Sequence, residues 1–328
     1  MSSTETVRAG VIGVGAMGQN HARVYRELPE TEFAGVFDAD ADRARETATE
    51  YGTEFLPMDE LLTTVDVVSV AVPTEYHYET VRECIDADVH VLVEKPFVEE
   101  PENGRRLIEF ADERGVTLQV GHIERFNPAI RKLADIAEDL DVIAVDARRL
   151  GPPVDREIED SAVMDLMIHD IDIVTALVDD EVVNVDATGT EDVAYAAATF
   201  EFESGVVGQL TASRVTQEKE RQLSLSAENC RVKVDFIDQT IEIHRQSAPE
   251  YVEENGDITY RHENVVERVS VEKGEPLKNE LSAFVEAVTT DSEPVVTGEE
   301  GLRALRLTRL VDELAADRST VDRPAPVH

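Results

Sequence analysis

Val7-Arg8-Ala9-Gly10-Val11-Ile12-Gly13-Val14-Gly15-Ala16-Met17-Gly18 is an apolar run closed by three glycines. The run predicts a buried strand, and the glycines predict a tight turn into a helix that reaches about residue 28. The three glycines have separate jobs. Gly13 permits the turn, Gly15 lets the backbone approach a pyrophosphate, and Gly18 lets the helix pack close to the strand. The helix N-terminus, with Ala16 and Met17 at its start, then turns unpaired N–H groups towards phosphates. A second strand over residues 32–37 ends at Asp38, 20 residues beyond Gly18. That is the distance expected of a carboxylate holding the adenine ribose hydroxyls. Strand, glycine turn, helix and carboxylate together predict a dinucleotide site on a doubly wound α/β domain. A carboxylate at position 38 suits NAD and repels the extra phosphate of NADP, although Arg43 stands near enough to temper that preference.

Strands and helices alternate onward from this motif. Helices are predicted over residues 41–51, 58–62, 77–86 and 101–114, and strands over 65–72, 89–93 and 116–120. The strand 65–72 stops at Pro73-Thr74, a turn at the same carboxyl edge of the sheet, so both residues and the nearby His77 are candidate neighbours of the cofactor. The strand 89–93 runs into Glu94-Lys95-Pro96. Open α/β sheets bind ligands at this edge, and Pro96 restricts Lys95 to extended geometry. Lys95 is thereby a candidate to touch both cofactor and substrate. Taken alone it would pass for a solvated strand end. Whether the Lys-Pro bond is cis cannot be read from the sequence.

The periodicity changes near residue 121, where a domain boundary is expected: a dinucleotide-binding domain over 1–121 and a second domain over 122–328. A helix is predicted from Pro128 to about residue 139. Antiparallel strands are predicted over residues 142–148, 193–202, 205–212, 222–226, 231–236 and 241–244, with a hairpin through Glu203-Ser204. Residues 246–270 are expected to be loop and an edge strand, and two helices, 277–288 and 299–316, close the chain.

The helix predicted over residues 161–178 carries the second half of the candidate chemistry. At 100° per residue Asp165, His169 and Asp172 fall within about 60° of one another. Apolar side chains cover most of the remaining circumference, with Asp170 the one charged exception. Such a stripe is either simply solvated or the polar line of a mostly buried helix that faces a cleft. Asp165 and His169 stand at i and i+4, so the carboxylate can orient the imidazole, which can then take a proton near neutral pH. Metal ligands beyond this stripe and His122 lack recognisable spacing, and no metal is expected.

Composition narrows the class. The formal net charge is −39, which excludes nucleic acid as a partner because phosphate binding needs a basic surface. No apolar run approaches a membrane span, and the polar start lacks the features of a signal peptide, so a cytoplasmic place is expected. Cys84 and Cys230 lack metal or redox spacing. There are 6 Lys against 25 Arg. A folded chain this acidic and lysine-poor resembles the proteins of extreme halophiles, in which molar salt shortens the Debye length to about 3 Å and screens self-repulsion.

With the glycine turn, Glu94-Lys95-Pro96 and Asp165-Leu166-Met167-Ile168-His169 in place, the chain resembles the Gfo/Idh/MocA family of NAD(P)-dependent oxidoreductases over nearly its whole length. The resemblance implies a Rossmann domain followed by an α/β domain with a large open antiparallel sheet. It also implies that Lys95, Asp165 and His169 act on a sugar or cyclitol hydroxyl. The stretch Gly121-His122-Ile123-Glu124-Arg125-Phe126-Asn127-Pro128, with Arg149-Leu150-Gly151-Pro152 and His169-Asp170-Ile171-Asp172, is similar to the branch that oxidises UDP-N-acetylglucosamine at its 3-hydroxyl. That similarity implies substrate contacts from His122, Arg125, Asn127 and Arg149. A diphosphate substrate also makes Arg148 and Arg156 candidates. A free-sugar or inositol dehydrogenase of the same family, and a non-catalytic dinucleotide sensor, remain as alternatives. A homodimer or homotetramer is expected if one face of the open sheet is apolar and needs cover.

Overall fold

The computed structural model describes residues 6–153, 160–246, 250–254, 257–261 and 263–317. They form two compact units. One takes the described residues up to Phe126 together with Gly274–Arg306; the other takes those of Asn127–Lys273 together with those from Leu307 onward.

The first unit alternates strand and helix: β1 Val7–Ile12, α1 Ala16–Glu27, β2 Thr31–Phe37, α2 Ala41–Tyr51, β3 Glu54–Phe55, α3 Met58–Thr64, β4 Val67–Val70, α4 His77–Asp86, β5 His90–Glu94, α5 Pro101–Arg114 and β6 Leu118–Gly121. Its six strands are parallel, in the order β3-β2-β1-β4-β5-β6. This is the doubly wound order of a Rossmann fold, and it places a ligand crevice where the strand order reverses, beside the carboxyl ends of β1 and β4. Central strands covered on both faces read as continuous apolar runs, and the four residues of β4 are all buried. The helices stop where the local chemistry stops them. Asp40 caps α2 through the amides of Asp42 and Arg43, and Gly52 closes it in the left-handed conformation.

A single cut at residue 121 does not describe this unit. The chain continues into it as far as Phe126 and returns to it at the other end. The returning helix buries Leu277, Leu281, Phe284 and Val285 in one core with Val11, Tyr25 and Leu92. An apolar helix face has to be covered by something, and the sequence does not say by which sheet.

The second unit contains α6 Pro128–Ala137, β7 Val142–Leu150, α7 Ile168–Val178, β8 Val182–Gly189, β9 Tyr195–Phe202, β10 Val207–Ser213, β11 Glu220–Ala227, β12 Cys230–Asp235, β13 Thr240–Gln246, β14 Glu250–Glu254, β15 Asp257–Arg261 and β16 Asn264–Val269. Two helices close the described chain: α8 Pro276–Thr290, the returning helix of the first unit, and α9 Gly298–Ala316, within which the division of units falls. Among the described residues eight strands make one sheet, ordered β16-β13-β12-β11-β7-β10-β9-β8, while β14 and β15 pair only with each other. The sheet is antiparallel except at its centre, where β7 and β10 run parallel. A helix and two strands intervene between those two, which gives the chain room to cross over.

One face of this sheet is covered by α6 and α7 in a core that includes Val145, Leu210, Leu223, Val232, Met167 and Ile171. The other face follows the strict alternation of strands. It carries Asp146, Arg148, Gln209, Gln222, Arg231 and Lys233, all partly or fully exposed. The outward face of these strands is thus polar and charged, not the apolar one on which assembly of copies was expected to rest.

Candidate active site

The dinucleotide motif is built by close approach. Gly13 has φ +88°, and a Cβ there would lie 2.8 Å from the Ala71 carbonyl. A Cβ on Gly18 would lie 1.8 Å from the Gly13 oxygen, so no side chain fits where α1 crosses the turn. A Cβ on Gly15 would meet nothing within 4 Å, as a backbone that receives a pyrophosphate requires. Asp38 is buried, and its Oδ2 accepts a 2.7 Å hydrogen bond from the amide of Val14, inside the glycine turn. Oδ1 accepts from the Asp40 amide at 2.8 Å and from Arg43 Nη2 at 2.7 Å. Burial alone would raise the Asp38 pKa. Arg43 and the two amides outweigh it and hold the group below the usual carboxylate range. Arg43, with 45% of its side chain exposed, is the partner that a ribose hydroxyl would exchange with. The residues therefore fit NAD. Pro73 precedes a short 3-10 turn, Thr74–Tyr76, that leads into α4 at the same edge.

Lys95 follows β5 at the carboxyl edge and is joined to Pro96 by a cis peptide bond. Glu94 Oε1 lies 2.8 Å from Nε2 of His21, which α1 buries completely. His77 also points inward. Its Nδ1 lies 2.9 Å from the Pro96 oxygen and 3.2 Å from that of Phe97, and its Nε2 lies 2.9 Å from the Val72 oxygen. Burial pushes the His77 pKa down against the pull of those carbonyls. His77 is thus a clamp between two loops, not a side chain offered to a cofactor.

In the second unit the expected regular helix begins instead with a π-helical turn, Val163–Met167, which passes into α7 at Ile168. The wider turn shifts every later side chain relative to a wheel of 100° per residue, and such turns cluster at functional sites. Asp165 lies within the π turn and His169 just after it, both partly exposed, whereas Asp172 is buried. Asp165 Oδ2 accepts a 2.9 Å hydrogen bond from Nη2 of Arg214, just beyond the end of β10. The same guanidinium donates to the carbonyls of Asp160 and Ser161, so one side chain ties the entrance of the π turn to the sheet.

The arginines expected to meet a diphosphate are mostly committed elsewhere. Arg149 is 1% exposed and makes a bidentate pair with Asp170, itself buried, while its guanidinium lies 5.5 Å from the Phe236 ring centre. Arg125 Nη2 lies 3.0 Å from Glu300 Oε1. Arg148 is exposed on the outward sheet face, 3.4 Å from Asp146. Arg156 lies outside the described residues. Asn127 caps α6, accepting from the Ala129 amide and donating to the Phe236 carbonyl. His122 is buried. Arg149 and Asn127 are therefore pieces of scaffold and not surfaces presented to substrate. Among the described residues no three His, Cys, Asp or Glu side chains gather as metal ligands would.

Three residues of this chemistry escaped the sequence reading. His21 and Arg214 lie 73 and 49 residues from the carboxylates they meet, beyond the reach of any spacing rule. Glu300 fixes Arg125 across 175 residues.

Residues 7–122 match the oxidoreductase family with an NAD-binding Rossmann fold, and residues 145–248 match the GFO/IDH/MocA C-terminal domain. UDP-N-acetylglucosamine 3-dehydrogenase of Acidithiobacillus ferrooxidans is 34% identical over 91% of this chain and 94% of its own. The chain belongs to the Gfo/Idh/MocA family. It is an oxidoreductase, and its first unit is the NAD-binding one. The solved structure of the Acidithiobacillus enzyme superposes with a TM-score of 0.85 over 94% of this chain and 98% of that one. Myo-inositol 2-dehydrogenase of Thermotoga maritima is 28% identical over 92% of this chain and 94% of its own. Among the described residues, no helix of this family member is long and apolar enough to cross a membrane.

Proposed function

We propose that this protein oxidises the 3-hydroxyl of a UDP-N-acetylhexosamine to a 3-keto sugar nucleotide. The observation that carries the proposal is similarity to UDP-N-acetylglucosamine 3-dehydrogenase along 91% of the chain. Glu94-Lys95-Pro96 and the Asp165/His169 pair are both intact. NAD supplies the hydride acceptor. His169 takes the hydroxyl proton at a ring nitrogen, and the carboxylate of Asp165 favours the imidazolium that results. Lys95 donates a hydrogen bond to the same oxygen and offsets the negative charge that grows there. Arg214 holds Asp165 for this task.

The test is a panel of substrates followed by the absorbance of reduced cofactor. UDP-N-acetylglucosamine is expected to reduce NAD, with free sugars and inositols inert. Reduction by an inositol alone would overturn the substrate assignment. One observation favours that second reading: Arg149 and Arg125 are paired with carboxylates, so a substrate without phosphates asks less of them. NAD binding without reduction by any polyol or sugar nucleotide would instead leave a sensor.

The same reading places the enzyme in a salt-rich cytoplasm. A homodimer or homotetramer is proposed with it, its mass to be read by light scattering at molar salt.

A further inference from the structure

We propose that His21 and His77 are positioning residues for Lys95, each fixing one side of the segment that bears it. The inference rests on the role given to Lys95 above. His21 has no exposed surface, and its Nε2 meets Glu94 at 2.8 Å. Its Nδ1 meets no partner among the described residues, so Glu94 alone orients the ring. In the neutral ring the Nε2–H tautomer donates to the carboxylate. The residue before Lys95 is thereby tied to α1, the helix whose first turn faces the pyrophosphate.

The residues after Lys95 are tied elsewhere. His77 opens α4, is 1% exposed, and faces the carbonyls of Pro96 and Phe97 with one nitrogen and that of Val72 with the other. The ring is thus wedged between the loop after β4 and the loop after β5, and in its neutral form its single N–H donates to one of them. Both imidazoles are too deeply buried to touch substrate, and beside Val72 their partners occupy positions 94, 96 and 97. What they fix is the backbone on both sides of the lysine.

The experiment is a double-mutant cycle with UDP-N-acetylglucosamine and NAD. His21→Ala and His77→Ala are each expected to lower kcat about 10- to 100-fold, the scale of a misplaced catalytic group. The affinity for NAD, read by fluorescence titration, is expected to change less than about threefold. In a Lys95→Ala background the same substitutions should cost less than about twofold, because a residue that acts through Lys95 has nothing left to position. His21→Gln, which keeps an N–H donor for Glu94, is expected to restore part of the rate. A readout independent of turnover comes from composition. With 6 lysines in the chain, isotope labelling at lysine Cε gives a sparse spectrum, and the resonance missing from Lys95→Ala is that of Lys95. It should move in both histidine variants while the other five stay in place. Equal losses of kcat in both backgrounds would make the histidines merely structural and overturn the inference, as would full turnover in His21→Ala and His77→Ala. Full turnover in Lys95→Ala alone would instead sink the role of the lysine itself, and the inference with it.

Discussion

Lys95 and His169 are held in opposite ways. Lys95 is gripped through uncharged backbone and one carboxylate by imidazoles that belong to helices of the same Rossmann alternation. His169 follows a π turn secured by guanidinium–carboxylate pairs, Arg214 with Asp165 and Arg149 with Asp170. The first arrangement reuses the geometry that every strand end of a parallel sheet offers. The second is built for this helix alone and depends on ion pairs, of which Arg149 with Asp170 has been taken out of water. Burying such a pair gains little over apolar packing, yet breaking it is expensive. Rigidity of the first region is therefore spread over many contacts, while that of the second is concentrated in a few.

The broadest test acts on both regions. Dialysis from molar KCl to low millimolar salt removes the screening of a net charge of −39. Circular dichroism is expected to show loss of structure; full structure and activity in dilute buffer would end the halophilic reading. Next comes the contrast itself. Arg149→Met leaves the buried Asp170 carboxylate without its bidentate partner and should cost about 3–5 kcal/mol in denaturant titration, with most of it recovered by adding Asp170→Leu. No single substitution at the glycine-turn region that keeps its glycines should match that loss. His169→Ala is expected to lower turnover about 10²-fold, worth about 2.7 kcal/mol of barrier, with NAD affinity unchanged; equal turnover would remove His169 from the chemistry. Arg214→Gln, which frees Asp165 and the entrance of the π turn, should lower turnover about 10-fold and spare NAD binding.

The smallest effect is one of pH. Burial pushes His77 and His90 below the ordinary histidine range, opposed by carbonyls at the first and by Asp66 at the second. The unfolded chain then takes up those protons first, so stability is full above about pH 6.5 and declines as pH falls through the folded-state values. Urea midpoints in molar KCl should fall between about pH 7 and about pH 5.5, and His77→Gln should flatten the decline.

The same contrast explains what the sequence disclosed. The turn at Gly13, the carboxylate at Asp38, the strand into Lys95 and the helices Ala41–Tyr51 and Pro101–Arg114 all follow from spacing within about one βαβ unit, and spacing is what a sequence displays. The π turn was invisible because a helical wheel presupposes a constant 100° per residue. The π turn changes the angle between Asp165 and the residues after it from the one the wheel gives. Arg149 looked like a phosphate ligand because its charge is legible and its partner 21 residues away is not. Strand β8 escaped because its alternation is half exposed and weakly apolar. The parallel pairing of β7 with β10 and the return of α8 to the first unit are matters of topology, settled by which apolar faces need covering.

One carboxylate in the first unit carries a wider consequence. Asp38 is the carboxylate proposed to choose the coenzyme, yet its Oδ2 also accepts the amide of Val14 in the glycine turn, and Arg43 donates to it as well. A lineage drifting towards the phosphorylated coenzyme already owns the cation it would need. What restrains it is architectural: the step that discards the carboxylate also strips an acceptor from the turn, so a change of redox currency and a repair of the loop would have to arrive together.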